Sequence, residues 1–138
     1  MEYRTAAHYS VTSSQNVETV LQSLTSKLAE RGFGVLSQID VQKVLKEKTG
    51  ANIGPYTILE VCKPAYAKKA LEKQRSVGLA LPCKIVVYQE AAKSVVSLYR
   101  PTQAVSHVGV EGVEEIAESA ERELKEAVDT VSDVQKNE

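Results

Sequence analysis

A chain of 138 residues has the length of a single domain, and its hydrophobic fraction of 43% is ordinary for a globular protein. The formal net charge of −1 argues against a nucleic-acid partner, and no stretch approaches the roughly 18 apolar residues of a membrane span. The first residues also lack the apolar run of a signal peptide. We therefore expect a cytoplasmic protein whose two cysteines are reduced and not joined in a disulfide.

The charged residues are distributed unevenly along the chain, although the net charge is near zero. Residues 1–109 carry 14 Lys and Arg against 8 Asp and Glu, whereas residues 110–138 carry 3 against 10. The sequence thus predicts a mildly basic body with an acidic tail, which either lies on the body electrostatically or stays in solvent.

The first forty residues predict a strand, a helix and a second strand. Residues 3–11 alternate loosely and are interpreted as the first strand. Thr12 has capping-box spacing to Gln15, and an apolar stripe follows at helical spacing as far as Gly32, which suits the left-handed position that ends a helix. Residues 33–39 are interpreted as the second strand.

The middle of the chain continues the alternation of helices and strands. Asp40 is predicted to cap a short helix, and residues 56–62 form a β-branched strand. A helix over 64–74 and two strands over 83–88 and 94–99 follow. The order β-α-β-α-β-α-β-β predicts an α+β fold: a two-layer sandwich with a mixed five-stranded sheet and helices packed on one face.

The acidic tail has a heptad pattern in which every a and d position is apolar. These positions are Val110, Val113, Ala117, Ala120, Leu124, Ala127, Val131 and Val134. We therefore divide the chain into an α+β domain over residues 1–103 and an amphipathic, acidic helical extension over residues 104–138. The helix either lies on its own domain, the usual role of such a stripe, or pairs with another subunit in a homodimer.

Four segments carry a family resemblance. They are Gly-Phe-Gly-Val-Leu (32–36), Gly-Pro-Tyr-Thr-Ile-Leu-Glu-Val-Cys-Lys-Pro (54–64), Ala-Tyr-Ala-Lys-Lys-Ala-Leu (65–71) and Leu-Pro-Cys-Lys-Ile-Val-Val-Tyr (81–88). Over about residues 3–101 the chain resembles the Domain of Unknown Function 302 family of bacteria and archaea. This resemblance implies a compact α+β domain, often dimeric, with no established activity. Family members commonly have Asn between the first cysteine and its proline, where this chain has Lys63.

Two proline-flanked cysteines, Cys62 and Cys83, are the chain's soft nucleophiles, and both fall at predicted junctions between strand and loop. Strand alternation places Tyr56 and Glu60 on the same face as Cys62. The charge of Lys63 and the start of the third helix would favour a thiolate at Cys62. The two cysteines lie close together if their strands are antiparallel and far apart if the strands are parallel.

The favoured function is a module that binds a small or anionic ligand in a pocket near the cysteines. The candidate ligand-binding residues are Tyr56, Cys62, Lys63, Tyr66, Cys83 and Lys84. Free cysteine is also a common core residue, so for the two thiols themselves packing alone is the favoured interpretation.

Other functions stay open. A thiol-dependent enzyme would use Cys62 as its nucleophile and Glu60 as its proton carrier. A structural or interaction module would assemble through the C-terminal helix. Zinc held by Cys62 and Cys83 is a further alternative, although the chain has no C-x-x-C motif.

Overall fold

A computed structural model describes residues 6–133. Its strands are β1 (His8–Ser13), β2 (Gly34–Asp40), β3 (Tyr56–Cys62), β4 (Cys83–Glu90) and β5 (Lys93–Tyr99). Its helices are α1 (Val17–Glu30), α2 (Val41–Thr49), α3 (Pro64–Lys73), a 3₁₀ helix (Arg75–Ala80), α4 (Pro101–His107) and α5 (Glu114–Asp129). None of the helices within residues 6–133 is long and apolar enough to cross a membrane.

The five strands form one open sheet in the order β1-β5-β4-β3-β2. The α+β class is confirmed, but the sheet is antiparallel in all four pairings and not mixed as the sequence predicts. A helix between two strands usually carries the chain back to start a parallel neighbour. Here α3 and the 3₁₀ helix leave and re-enter the sheet at the same end, so the strands that they connect are antiparallel neighbours.

Strand alternation gives the sheet one covered face and one open face. On the covered face the helices α1 and α5 contact the sheet, and the strand side chains there are fully buried. These side chains are Leu59, Val61, Ile85, Val87, Val96 and Leu98. On the open face, β3 presents Tyr56, Ile58 and Glu60, each of which is partly exposed.

Helix α1 begins four residues later than the capping-box spacing predicts. Its N-cap is Asn16, whose side chain accepts a hydrogen bond of 2.8 Å from the amide of Thr19. Thr12 instead belongs to β1, because a β-branched residue also fits a strand. The end of the helix agrees with the sequence, since Gly32 has a φ of +84°. Residues 3–5 of the predicted first strand lie outside the described residues.

Helix α5 lies on its own domain. Ala120, Leu124 and Ala127 belong to the same apolar core as α1 and the sheet. The predicted boundary between residues 103 and 104 falls inside α4 and does not separate two cores. The described a and d residues of the heptad are buried within the chain, so this stripe is not free to pair with a second subunit. Position 134 lies outside the described residues.

A second, smaller apolar cluster lies at the end of the sheet where β3 ends and β4 begins. It joins α3, the 3₁₀ helix, α4 and the segment that leads into α5. Gly109 and Gly112, with φ of +73° and +86°, turn that segment and break the predicted heptad helix before residue 114. As a result Val110 and Val113 pack in this second cluster.

Candidate functional site

A cavity of about 50 Å³ lies at the junction of the two apolar clusters. Phe33 and Val61 line it from the main core. Val77, Val105 and Ala117 line it from the second cluster. The cavity exists because the chain between β3 and β4 packs past the end of the sheet and meets α4 and α5 there.

Both cysteines line this cavity, and both are free thiols. Cys83 begins β4 and is the register partner of Val61 on β3. Cys62 directly follows Val61, so the two cysteines lie at neighbouring positions of paired strands. The antiparallel pairing therefore gives the closer of the two arrangements that the sequence leaves open. Cys62, the last residue of β3, reaches the cavity because α3 starts two residues later and folds past the strand end.

Burial raises the pKa of both thiols. The apolar surroundings raise the pKa of Cys83 to about 12, with a further contribution from the nearby Cys62. The pKa of Cys62 is raised by burial as well. The Lys63 ammonium is held by Glu123, with 2.9 Å between Nζ and Oε1. The structure thus contradicts the prediction that Lys63 and the start of α3 favour a thiolate, and both side chains are protonated at neutral pH.

A polar cluster lies beside the apolar lining. Lys63 Nζ donates a hydrogen bond of 2.9 Å to Oε1 of Glu123, and the Tyr66 hydroxyl donates one of 2.7 Å to Oε2. The Lys63 ammonium also lies 4.7 Å from the centre of the Tyr66 ring and 5.7 Å from that of Phe33. The stem of Lys63 passes over Gly32, where a β-carbon would lie 3.3 Å from Lys63 Cε. We call Lys63 and Tyr66 the donor pair.

The donor pair fixes the charge of Glu123. Burial opposes ionisation of this carboxyl, but the hydrogen bonds from Lys63 and Tyr66 outweigh it and lower its pKa. The hydrogen bond to Glu123 is the main reason that the pKa of Lys63 and of Tyr66 is raised. At neutral pH an ammonium and a neutral phenol therefore converge on the two oxygens of one carboxylate.

With the fold and this geometry established, comparison with known proteins places the chain in a family. The model of the family described as Domain of unknown function DUF302 matches residues 9–131. This chain belongs to the DUF302 family. The match includes α4 and α5, so the DUF302 domain extends past residue 101, where the resemblance in the sequence ends.

A solved DUF302 protein has the same fold. The crystal structure of an uncharacterized conserved DUF302 protein from Bacillus stearothermophilus is similar to this chain, with a TM-score of 0.87 and 35% sequence identity. The similarity covers 92% of this chain and 99% of that chain. No curated protein matches the chain. These DUF302 relatives have no named activity, so a function has to rest on the site itself.

The DUF302 fold divides the predicted ligand-binding residues into two groups. Cys62, Lys63, Tyr66 and Cys83 line one cavity. Tyr56 and Lys84 lie on the open face, where Tyr56 stacks on Tyr88 with ring centres 5.1 Å apart. Period-two alternation explains the split, because a residue on the open face cannot contact a cavity under the covered face.

Glu60, the predicted proton carrier, also lies on the open face. Its register partner on β4 is Lys84, and it does not line the cavity. The pairing of Glu60 with Cys62 as catalytic groups therefore lacks support from the geometry. Cys62 reaches the cavity only because it stands at the end of β3.

The sequence did not indicate the contribution of α5 to the site. Glu123 and Ala117 both come from this helix, and Glu123 lies 60 residues from Lys63 along the chain. The signal for Glu123 is the charge asymmetry, because an acidic tail that lies on a basic body can place a carboxylate against a lysine. Which carboxylate meets which lysine depends on packing.

Zinc at Cys62 and Cys83 stays a prediction. Across residues 6–133 no group of three or more His, Cys, Asp or Glu side chains is placed to hold a metal ion.

Proposed function

We propose that this DUF302 protein binds a small ligand whose apolar part enters the cavity beside Cys62 and Cys83. The observation that carries this proposal is the position of the donor pair, since both Lys63 and Tyr66 line a cavity that is otherwise apolar. An apolar pocket with a few convergent polar groups is the usual form of a small-molecule site.

The size of the cavity restricts the ligand. Its volume of about 50 Å³ is roughly a third of the 150 Å³ engineered cavity that binds benzene. Its mainly apolar lining favours a hydrocarbon group. We therefore propose that a short alkyl group, and not an aromatic ring, enters the cavity.

Binding is favoured over catalysis by the state of the thiols. A nucleophilic cysteine needs a lowered pKa or an adjacent base, whereas burial raises the pKa of Cys62 and of Cys83. Glu123 is engaged by the donor pair and Glu60 lies on the open face. The free thiols also favour the reducing cytoplasm, where we place the protein.

Titration with 1-butanol, followed by amide NMR, tests the proposal. We expect saturable shifts at the amides of residues that line the cavity. Ala117→Val adds two methyl groups to the lining and should weaken butanol binding at least tenfold, or about 1.4 kcal/mol. Ala29→Val, the same change on the exposed surface of α1, is the matched control. Shifts that do not saturate, or equal binding to both variants, would rule out the cavity as the binding site.

We propose, as a second function, that the open face forms a homodimer interface. This proposal rests on apolar side chains of the neighbouring strand β2 that the fold leaves exposed: Leu36 is 64% exposed, and Ile39, the register partner of Ile58, is 39% exposed. A second copy is a suitable occupant because each copy carries Glu60 and Lys84 as neighbours, so a two-fold axis can place opposite charges together.

Sedimentation of two lysine variants tests the dimer. Ile39→Lys introduces a charge on the open face and should shift the protein to a monomer. Leu79→Lys makes the same change on the 3₁₀ helix, where the leucine is 77% exposed, and should leave the assembly unchanged. A wild-type protein that sediments as a monomer at micromolar concentration would contradict this second proposal.

A further inference from the structure

We infer that the ligand of the cavity is a short-chain carboxylate, and that Glu123 competes with it for the donor pair. This inference rests on the proposed binding function and adds the chemical class of the ligand. It also assigns Glu123 a regulatory role, because an internal carboxylate that holds the donors has to leave before an external one can bind.

The first support is the chemistry that the donor pair already shows. Lys63 donates to one oxygen of Glu123 and Tyr66 to the other, at 2.9 and 2.7 Å. Two donors, one of them charged, that each reach a different oxygen match the planar fork of a carboxylate. A ligand ammonium group at the same positions would be repelled by the charge of Lys63.

The second support is where the three side chains lie. Lys63 and Tyr66 line the cavity, whereas Glu123 reaches them from α5 and does not line it. A ligand whose alkyl group occupies the cavity would therefore present its carboxylate to the donor pair from the inside, while Glu123 approaches from the helix surface.

The third support is that Glu123 can leave at small cost. The side chains of Lys63 and Glu123 are 24% and 22% exposed, so the pair lies near solvent. Arg122, the neighbouring residue on α5, also lowers the pKa of Glu123 by its charge. After displacement, Glu123 would stay ionised in water beside a cation, and Lys63 would exchange one carboxylate for another.

The cavity volume sets the chain length. About 50 Å³ accommodates a short alkyl group and excludes the tail of a fatty acid. Carboxylates of roughly three to five carbons therefore fit, with the polar end at Lys63 and Tyr66. Butyrate is a suitable probe, and 1-butanol is its neutral counterpart with the same number of carbons.

Butyrate and 1-butanol titrations of four proteins test the inference. Glu123→Gln removes the competing charge with little change in shape, and we expect it to bind butyrate about fivefold more tightly than the wild type. Lys63→Met should lower the ratio of butyrate to butanol affinity at least tenfold. Glu126→Gln removes the same charge from an exposed position of α5 and should leave the butyrate affinity at the wild-type value.

The outcomes separate this inference from the proposed function. If the wild type binds butanol in the cavity but Glu123→Gln does not bind butyrate more tightly, competition by Glu123 is wrong and the binding function stands. If neither probe binds any variant, both fail. Propyl phosphate that binds Glu123→Gln as tightly as butyrate would overturn the carboxylate class.

Discussion

The open face and the cavity each have a lysine and a glutamate that the fold brings together, but by different means. Glu60 and Lys84 are register partners on β3 and β4 of the open face. Lys63 and Glu123 meet at the cavity from positions 60 residues apart, one after β3 and the other on α5. The first pair follows from the pairing of two neighbouring strands, whereas the second forms only when α5 packs on the rest of the domain. The chemistry that we assign to the protein therefore lies where its distant segments meet.

The largest contrast between the two regions is expected in thiol reactivity. With a pKa of about 12, Cys83 has a thiolate fraction at neutral pH roughly a thousandfold below that of an ordinary cysteine. In a Cys62→Ser background, Cys83 should react with iodoacetamide about a hundredfold more slowly than a cysteine placed on the open face by Thr12→Cys, because the greater nucleophilicity of a high-pKa thiolate offsets part of its scarcity. Rates followed by mass spectrometry that differ less than tenfold would contradict the burial of Cys83.

Alanine substitutions at two adjacent residues of β3 compare how much the covered and open faces contribute to stability. Leu59 is fully buried on the covered face, so Leu59→Ala should lower the free energy of unfolding by about 2–5 kcal/mol. Ile58→Ala, on the partly exposed open face, should cost about 1 kcal/mol. Urea unfolding at several protein concentrations measures both. An Ile58→Ala cost that equals that of Leu59→Ala and falls on dilution would show that a second subunit buries the open face.

The buried carboxylate of Glu121 connects α5, which lines part of the cavity, to Arg100 and Thr102. Burial opposes ionisation of Glu121, but hydrogen bonds from Thr102, Arg100 and Lys125 outweigh it and lower its pKa. Glu121→Gln should cost about 1–3 kcal/mol at pH 7. Glu126→Gln, on the exposed side of the helix, should change stability by less than about 0.5 kcal/mol.

The cost of Glu121→Gln should depend on pH with a definite sign. A carboxyl whose pKa is lower in the folded state contributes stability above its unfolded pKa, and that contribution disappears as the pH falls through the folded pKa. The difference in unfolding free energy between the wild type and Glu121→Gln should therefore shrink from pH 7 towards pH 3. A difference that grows on acidification would contradict the assignment of Glu121 as a buried anion.

The smallest effect concerns the two lysine–glutamate pairs themselves. Both lie near solvent, where a double-mutant cycle measures only about 0.2–1 kcal/mol. We expect the Lys63–Glu123 coupling to lie at the upper end of this range because Tyr66 orients the same carboxylate. The Glu60–Lys84 coupling should lie at the lower end. A Glu60–Lys84 coupling stronger than the Lys63–Glu123 coupling would contradict this expectation.

Local features of the fold could be predicted from the sequence. The strand over residues 56–62, the Asp40 cap of α2 and the turn at Gly32 all agree with the structure. Each depends on a residue's own backbone preference or on a short spacing. The antiparallel sheet could not be predicted in this way, because helices between strands are compatible with either direction.

The site could be predicted only in part for the same reason. Proline and strand-end signals identify Cys62 and Cys83, and their neighbours Lys63 and Tyr66 follow from the start of α3. Glu123 and the cavity come from the packing of α5, which a heptad pattern does not place. The same packing buries the thiols and raises their pKa, which explains why the predicted thiolate is a protonated thiol in the structure.

A crystal of the wild-type protein under xenon pressure tests the central claim most directly, because xenon enters dry apolar cavities. Binding of a short alkyl group beside the cysteines requires that this cavity accept an apolar guest. We predict one xenon atom in contact with Val77, Cys83 and Ala117. Xenon bound elsewhere on the protein, with none among these side chains, would contradict the proposed binding site.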